Sequence, residues 1–103
     1  MNKDKLYKIK ISAQAINRLD EHFEFLSRIS KNAANKLLKQ LLIDISSLKI
    51  MPNRNPIYER AYAEELYRYK LSCKRYRIVY QIKENIILID DIQNCRQNND
   101  DNS

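Results

Sequence analysis

The apolar residues of this chain change their period partway along it, and that change limits the folds open to it. Ile16, Leu19, Phe23 and Leu26, then Ala34, Leu37, Leu38, Leu41, Leu42, Ile45 and Leu48, recur at three or four positions. That spacing lines one side of an α-helix. From Leu66 the pattern becomes alternation, in Leu66-Tyr67-Arg68-Tyr69-Lys70-Leu71 and Tyr76-Arg77-Ile78-Val79-Tyr80-Gln81-Ile82, followed by the apolar run Ile86-Ile87-Leu88-Ile89. Alternation, with tyrosine and β-branched residues enriched, belongs to strands. Tyr7, Ile9 and Ile11 alternate with Lys8 and Lys10 and predict one more strand at the start. Ser12 and Ser30 precede the two helical stripes as N-cap candidates. They predict helices from Ala13 to Arg28 and over roughly twenty residues after Ser30. With a residue or two between them, the helices should fold back as an antiparallel hairpin. The order is β-α-α-β-β-β: an α+β domain with the helical hairpin on one face of a mainly antiparallel four-stranded sheet. The other face is expected to stay open to solvent or a partner.

The sequence contains no glycine. Phosphate-binding loops and dinucleotide fingerprints need glycine so that backbone amides can approach a phosphate, so nucleotide binding of those kinds is excluded. Turns fall to Asn, Asp, Ser and Pro. Pro52 and Pro56 end the helical pattern, making residues 51–57 a loop. Glu84-Asn85 reads as a short hairpin turn, with Asn85 expected at positive φ. The 103 residues suit one domain, expected over 1–97, with a polar, frayed tail at 98–103. Hydrophobic residues at 44% and charged residues at 31% are a soluble globular mixture. No apolar run approaches the ~18–20 residues of a membrane span, and the start lacks a signal-peptide core. A cytoplasmic protein with no membrane partner is the expectation. Cys73 and Cys95 are then reduced thiols, and with His22 they are too few for a metal site. No cofactor is expected.

The formal net charge of +6 favours an anionic partner, nucleic acid or an acidic protein. Arg68, Lys70, Lys74, Arg75 and Arg77 lie together without an intervening acid. Judged strand by strand, the more apolar face should meet the helices. Tyr67, Tyr69 and Leu71 then point inward on one strand, and Tyr76, Ile78, Tyr80 and Ile82 on the next. Arg68, Lys70 and Arg77 are expected to converge on the open face, with Arg96 in reach. Guanidinium forks match phosphate oxygens, so this is a candidate anion site. Lys74 and Arg75 are candidate nucleic-acid contacts. The plain alternative is a solvated basic surface. Ile16, Leu19, Phe23, Leu37, Leu41, Ile45, Ile78 and Tyr80 are the expected core. His22 reads as a surface residue, and Tyr67, Tyr69, Tyr76 and Tyr80 as packing rather than base-stacking groups. Glu64 and Glu65 are placed to salt-bridge the basic patch.

This order of elements, the runs Leu66-Tyr67-Arg68-Tyr69-Lys70-Leu71-Ser72 and Tyr76-Arg77-Ile78-Val79-Tyr80-Gln81-Ile82, and the terminal Cys95-Arg96-Gln97 resemble the RelE/ParE superfamily of bacterial toxins. These are the toxin halves of type II toxin-antitoxin systems, including plasmid stabilisation proteins. The resemblance spans Tyr7 to about Gln97. It implies a cognate acidic antitoxin and one of two activities. RelE-like members are endoribonucleases that cut mRNA on the ribosome and inhibit translation; ParE-like members poison DNA gyrase. For the first, the resemblance makes Arg68, Lys70, Arg77 and Arg96 the catalytic set, with attack by the RNA 2′-hydroxyl and no metal. Arg77 would stabilise the phosphorane and Lys70 would serve as base or orienting group. Many RelE-like members carry a tyrosine in the tail, where this chain has Gln97-Asn98-Asn99-Asp100-Asp101-Asn102, and related branches carry a histidine where it has Asn94 and Cys95. Arg77 and Arg96 also match gyrase-poisoning members, and a degenerate toxin that keeps only antitoxin binding is a further reading.

Overall fold

In a computed structural model, which describes residues 7–58 and 65–95, both serine caps form. Ser12 Oγ accepts from the Ala15 amide at 3.0 Å and Ser30 Oγ from the Ala33 amide at 3.1 Å. They open helices α1 (Ala13–Ser27) and α2 (Lys31–Ser47), which pair as the expected hairpin. Strands β1 (Lys8–Ile11), β2 (Arg68–Ser72), β3 (Tyr76–Lys83) and β4 (Ile86–Asn94) form one sheet in the order β1-β4-β3-β2. β1 runs parallel to β4, and the other pairs are antiparallel. The loop after α2 contains a 3-10 turn, Pro52–Arg54. Among the described residues no helix is long and apolar enough to cross a membrane. Arg96, Glu64 and the 98–103 tail lie outside the described residues.

β1 pairs with Ile86–Ile89, and among the described residues no strand flanks the remainder of β4 on that side. α1 covers this edge. The Ser12 hydroxyl donates to the Asp90 carbonyl at 3.1 Å, and His22 Nε2–H donates to the Ile92 carbonyl at 2.8 Å. His22 is therefore buried, at 8% exposure, and not the surface residue expected from its neighbours. Its imidazole satisfies a carbonyl that would otherwise be orphaned. Ala15 is fully buried on the same side, while Ile16 is half exposed and Leu19 and Phe23 only partly covered. The buried stripe of α1 is thus shifted by about one residue from the apolar one. α2 behaves as its sequence predicts. Leu37, Leu41, Ile45 and Leu48 pack against Tyr76, Ile78 and Tyr80 of β3 and Ile87, Ile89 and Ile92 of β4. Burying each such aliphatic side chain contributes roughly 1.5–3 kcal/mol.

Two backbone irregularities decide which side chains face the helices. The register of β3 and β4 slips between Val79 and Tyr80, so Asp90 is an extra, bulged residue. Without the slip, the alternation that buries Ile87 and Ile89 would bury Asp91; with it, Ile92 enters the core and Asp91 turns to the opposite face. The β2–β3 turn is the second. Arg75 N–H donates to the Ser72 carbonyl at 3.2 Å, with Cys73 at φ 55° and Lys74 at φ 61°, the mark of a type I′ turn built without glycine. In the β3–β4 turn it is Glu84, at φ 57°, and not Asn85 that takes positive φ. The sheet face away from the helices is not bare: Val79, Gln81 and Asp91 are buried there. Glu65 accepts a hydrogen bond from the Gln81 amide and pairs with Lys83 at 3.7 Å, so it meets this face and not the basic cluster.

Candidate functional site

The β2–β3 hairpin carries the cations, and its register fixes their directions. Arg68 lies opposite Tyr80, Lys70 opposite Ile78 and Ser72 opposite Tyr76. Directly opposed residues share a face, and Tyr76, Ile78 and Tyr80 face the helices. Arg68 and Lys70 are therefore on the helix side. The contacts agree: Ser72 Oγ donates to Asp44 Oδ2 of α2 at 2.5 Å, and Arg68 Nη1 donates to the Asn55 carbonyl at 2.6 Å. Asn55 in turn donates to the Tyr80 hydroxyl at 2.9 Å, and that hydroxyl donates to the Pro52 carbonyl at 2.6 Å. Burial raises the Tyr80 pKa, against the opposing effects of Asn55 and Arg68, so the phenol stays a donor. Arg68 thus ties β2 to the loop after α2.

Arg77 is on the other face. It lies opposite Leu71 on β2 and Gln93 on β4. Its guanidinium carbon sits 5.3 Å from the Tyr58 ring centre and 5.4 Å from that of Tyr69, within cation–π range. Nη1 donates to Gln93 Oε1 at 2.9 Å, and the Tyr58 hydroxyl donates to the same oxygen at 3.3 Å. Gln93 Nε2 donates to Asp91 Oδ2 at 3.3 Å, and Asp91 Oδ1 is 3.7 Å from Arg18 Nε of α1. The Nε of Arg77 is buried without a hydrogen-bond partner among the described residues. Arg77 is held as a fixed, half-buried cation in an aromatic frame.

The expected convergence of Arg68, Lys70 and Arg77 does not occur: the sheet separates the first two from the third. Tyr69 and Leu71 take the face predicted for the cations, and Leu71 is exposed. The reason is the turn. Its length pairs even-numbered residues of β2 with even-numbered residues of β3, whatever the apolar pattern of β2 alone favours. Lys74 and Arg75 project from the tip and are exposed. The cations therefore surround the hairpin instead of forming one patch. Tyr76 and Tyr80 are core residues, whereas Tyr69 frames Arg77. Tyr58, Gln93 and Asp91, which fix Arg77, escaped the sequence reading; only the cross-strand pairing of Arg77 with Gln93 would have revealed them. Cys73 and Cys95 are free thiols. Among the described residues no cluster of three or more His, Cys, Asp or Glu is able to hold a metal ion.

A helical hairpin on a sheet of order β1-β4-β3-β2 is a fold shared with toxin-antitoxin proteins. A solved chain from the chromosomal ParDE toxin-antitoxin system of P. aeruginosa superposes with a TM-score of 0.72 at 15% identity, covering 88% of this chain and 98% of that one. Over residues 9–99 the sequence matches the family described as ParE toxin of type II toxin-antitoxin system, parDE, and the chain belongs to that family. No curated protein matches it.

Proposed function

We propose that this protein arrests growth as a cytoplasmic type II toxin that poisons DNA gyrase by binding it, with an acidic antitoxin as its neutralising partner. The observation that carries this reading is the pairing of Arg68 with Tyr80 and of Lys70 with Ile78. A metal-free RNA cleavage site needs several cations around one phosphate, because the developing charge is stabilised only by donors aimed at it. Here Arg68 is engaged by the loop after α2, and Arg77 is on the opposite face with Tyr58, Tyr69 and Gln93. A rigid cation beside an exposed Leu71 suits protein recognition, in which an arginine anchor with apolar surroundings carries much of the affinity. Membership of the ParE toxin family favours the same target. The net charge of +6 on the chain, with Arg68, Lys70, Lys74, Arg75 and Arg77 distributed around the β2–β3 hairpin, suits an acidic partner that wraps it.

The test is induction of the chain in cells, with trapping of gyrase–DNA cleavage complexes and transcript mapping from the same culture. Gyrase-linked DNA breaks with intact transcripts are expected. Messages cut in the decoding frame, without gyrase-linked breaks, would restore the ribosome-dependent endoribonuclease with Arg68, Lys70, Arg77 and Arg96 as its residues.

A further inference from the structure

Arg77 forms no ion pair among the described residues. The carboxylate of its network, Asp91, is buried at 7% exposure and engaged elsewhere. Asp91 Oδ1 accepts from the Ile92 N–H at 2.9 Å and lies 3.7 Å from Arg18 Nε, while Oδ2 accepts from Gln93 Nε2 at 3.3 Å. Gln93 stands between acid and cation as a neutral spacer. Its Oε1 accepts from Arg77 Nη1 at 2.9 Å and from the Tyr58 hydroxyl at 3.3 Å. An ionised carboxylate only accepts, so Asp91 demands the NH2 end of the amide and turns the amide oxygen toward Arg77. Orientation passes along this chain and charge does not. The guanidinium is left with the rings of Tyr58 and Tyr69, one amide oxygen, and a buried Nε without a partner among the described residues.

We propose that Asp91 and Gln93 are a positioning pair for Arg77: Asp91 sets the direction of the Gln93 amide, and Gln93 holds the guanidinium without neutralising it, keeping its charge available to an anionic group of the target. A carboxylate at position 93 would hold Arg77 at least as firmly, since charge-assisted hydrogen bonds are the stronger ones. A neutral amide is therefore a poor choice for bolting β3 to β4 and a good one for a cation that acts outward. Asp91 also ties the pair to α1 through Arg18. That the available charge serves growth arrest rests on the toxin reading; the holding of Arg77 does not.

Two variants separate position from charge. In Asp91→Asn the new amide keeps its oxygen on the Ile92 N–H and turns its NH2 to Gln93. Gln93 must then flip and present its own NH2 to Arg77, donor against donor. In Asp91→Asn combined with Gln93→Glu, the amide at 91 donates to the carboxylate at 93, which again accepts from Arg77 and Tyr58. The side-chain shapes and the net charge are kept, and one carboxylate has moved along β4. Position is read from hydrogen exchange at the Arg77 Nε–H by NMR, with exposed Arg54 as reference. The parent is expected to exchange at least about tenfold slower than Arg54, the single variant to lose most of that protection and the double variant to regain it. Charge is read by titrating inorganic phosphate: the Arg77 signal should shift in the parent and hold still in the double variant. Gyrase-linked breaks in induced cells should fall roughly tenfold or more in both variants. Protection untouched by Asp91→Asn, a phosphate response that does not differ between parent and double variant, or full growth arrest by the double variant would each overturn the proposal. A pair that only bolted β3 to β4 would give the last result. If the parent arrests nothing while its Arg77 signal meets the exchange and phosphate expectations, the toxin reading falls and the positioning pair stands.

Discussion

Arg77 is fixed from several sides, by Tyr58, Tyr69 and Gln93, and its role differs from that of a solvated surface arginine. Truncating it removes a charge-assisted hydrogen bond and the cation between the rings. Arg77→Ala should lower stability by about 1–3 kcal/mol in urea unfolding and abolish growth arrest. Unchanged arrest in a variant that remains folded would remove Arg77 from the functional surface. Asp90 gives a pH prediction. Burial, with Asp91 and Glu65 adding to it, raises its carboxyl pKa above the ordinary value. A raised folded-state pKa means stability that is fully present below the unfolded pKa and lost as pH rises through the folded one. Asp90→Asn should therefore unfold at higher urea than the parent at pH 7, with the gap narrowing towards pH 3. A gap that widens in acid would show that the bulged carboxylate is stabilising when charged.

At the scale of elements, two short irregularities outweigh the regular segments between them. α1 replaces a strand along the outer part of β4, with His22 supplying the hydrogen bond to Ile92 that a strand would have given. His22→Ala leaves that carbonyl without its partner and should cost about 1–3 kcal/mol, measured by chemical denaturation. The β2–β3 turn places two non-glycine residues at positive φ. That conformation disfavours residues with a Cβ by roughly 1–2 kcal/mol, part of which glycine gives back through its own chain entropy. Lys74→Gly should raise stability by up to about 1 kcal/mol, visible as a higher melting temperature. A fall in melting temperature would mean that the Lys74 side chain makes a stabilising contact. The same turn fixes the pairing of Ser72 with Tyr76, and through it the direction of every cation on β2.

At the scale of the molecule, the basic residues are divided by the sheet they stand on. Arg68 ties β2 to the loop after α2, Lys70 shares that face, and Arg77 works from the other. Lys70→Ala is therefore expected to leave growth arrest intact, whereas a nuclease using Lys70 as its base would lose its activity. Growth curves after induction, with protein levels matched, separate the two. Arg68→Ala is the less useful comparison, because it also releases the Asn55 carbonyl and loosens the fold.

The sequence alone determined the kind and order of the elements, because hydrophobic period and serine capping act over a few neighbouring residues. It also determined the buried side of α2 and of β3, where Leu37, Leu41, Ile45, Ile78 and Tyr80 are numerous and apolar enough to leave one arrangement. It carried the family resemblance for the same local reason. Only the tertiary structure decided which way β2 faces. Its own pattern favours Tyr69 and Leu71 inward, but the register set by the turn pairs Arg68 with Tyr80 and Lys70 with Ile78 and so turns the cations to the helix side. Tertiary structure also decided that Ala15 and His22, not Ile16, lie beneath α1, because the bare edge of β4 demands close approach and a donor there. The site followed those two decisions: a side-chain period of two turns one residue of register into the opposite face, and so placed Arg68 and Arg77 on different sides of the sheet.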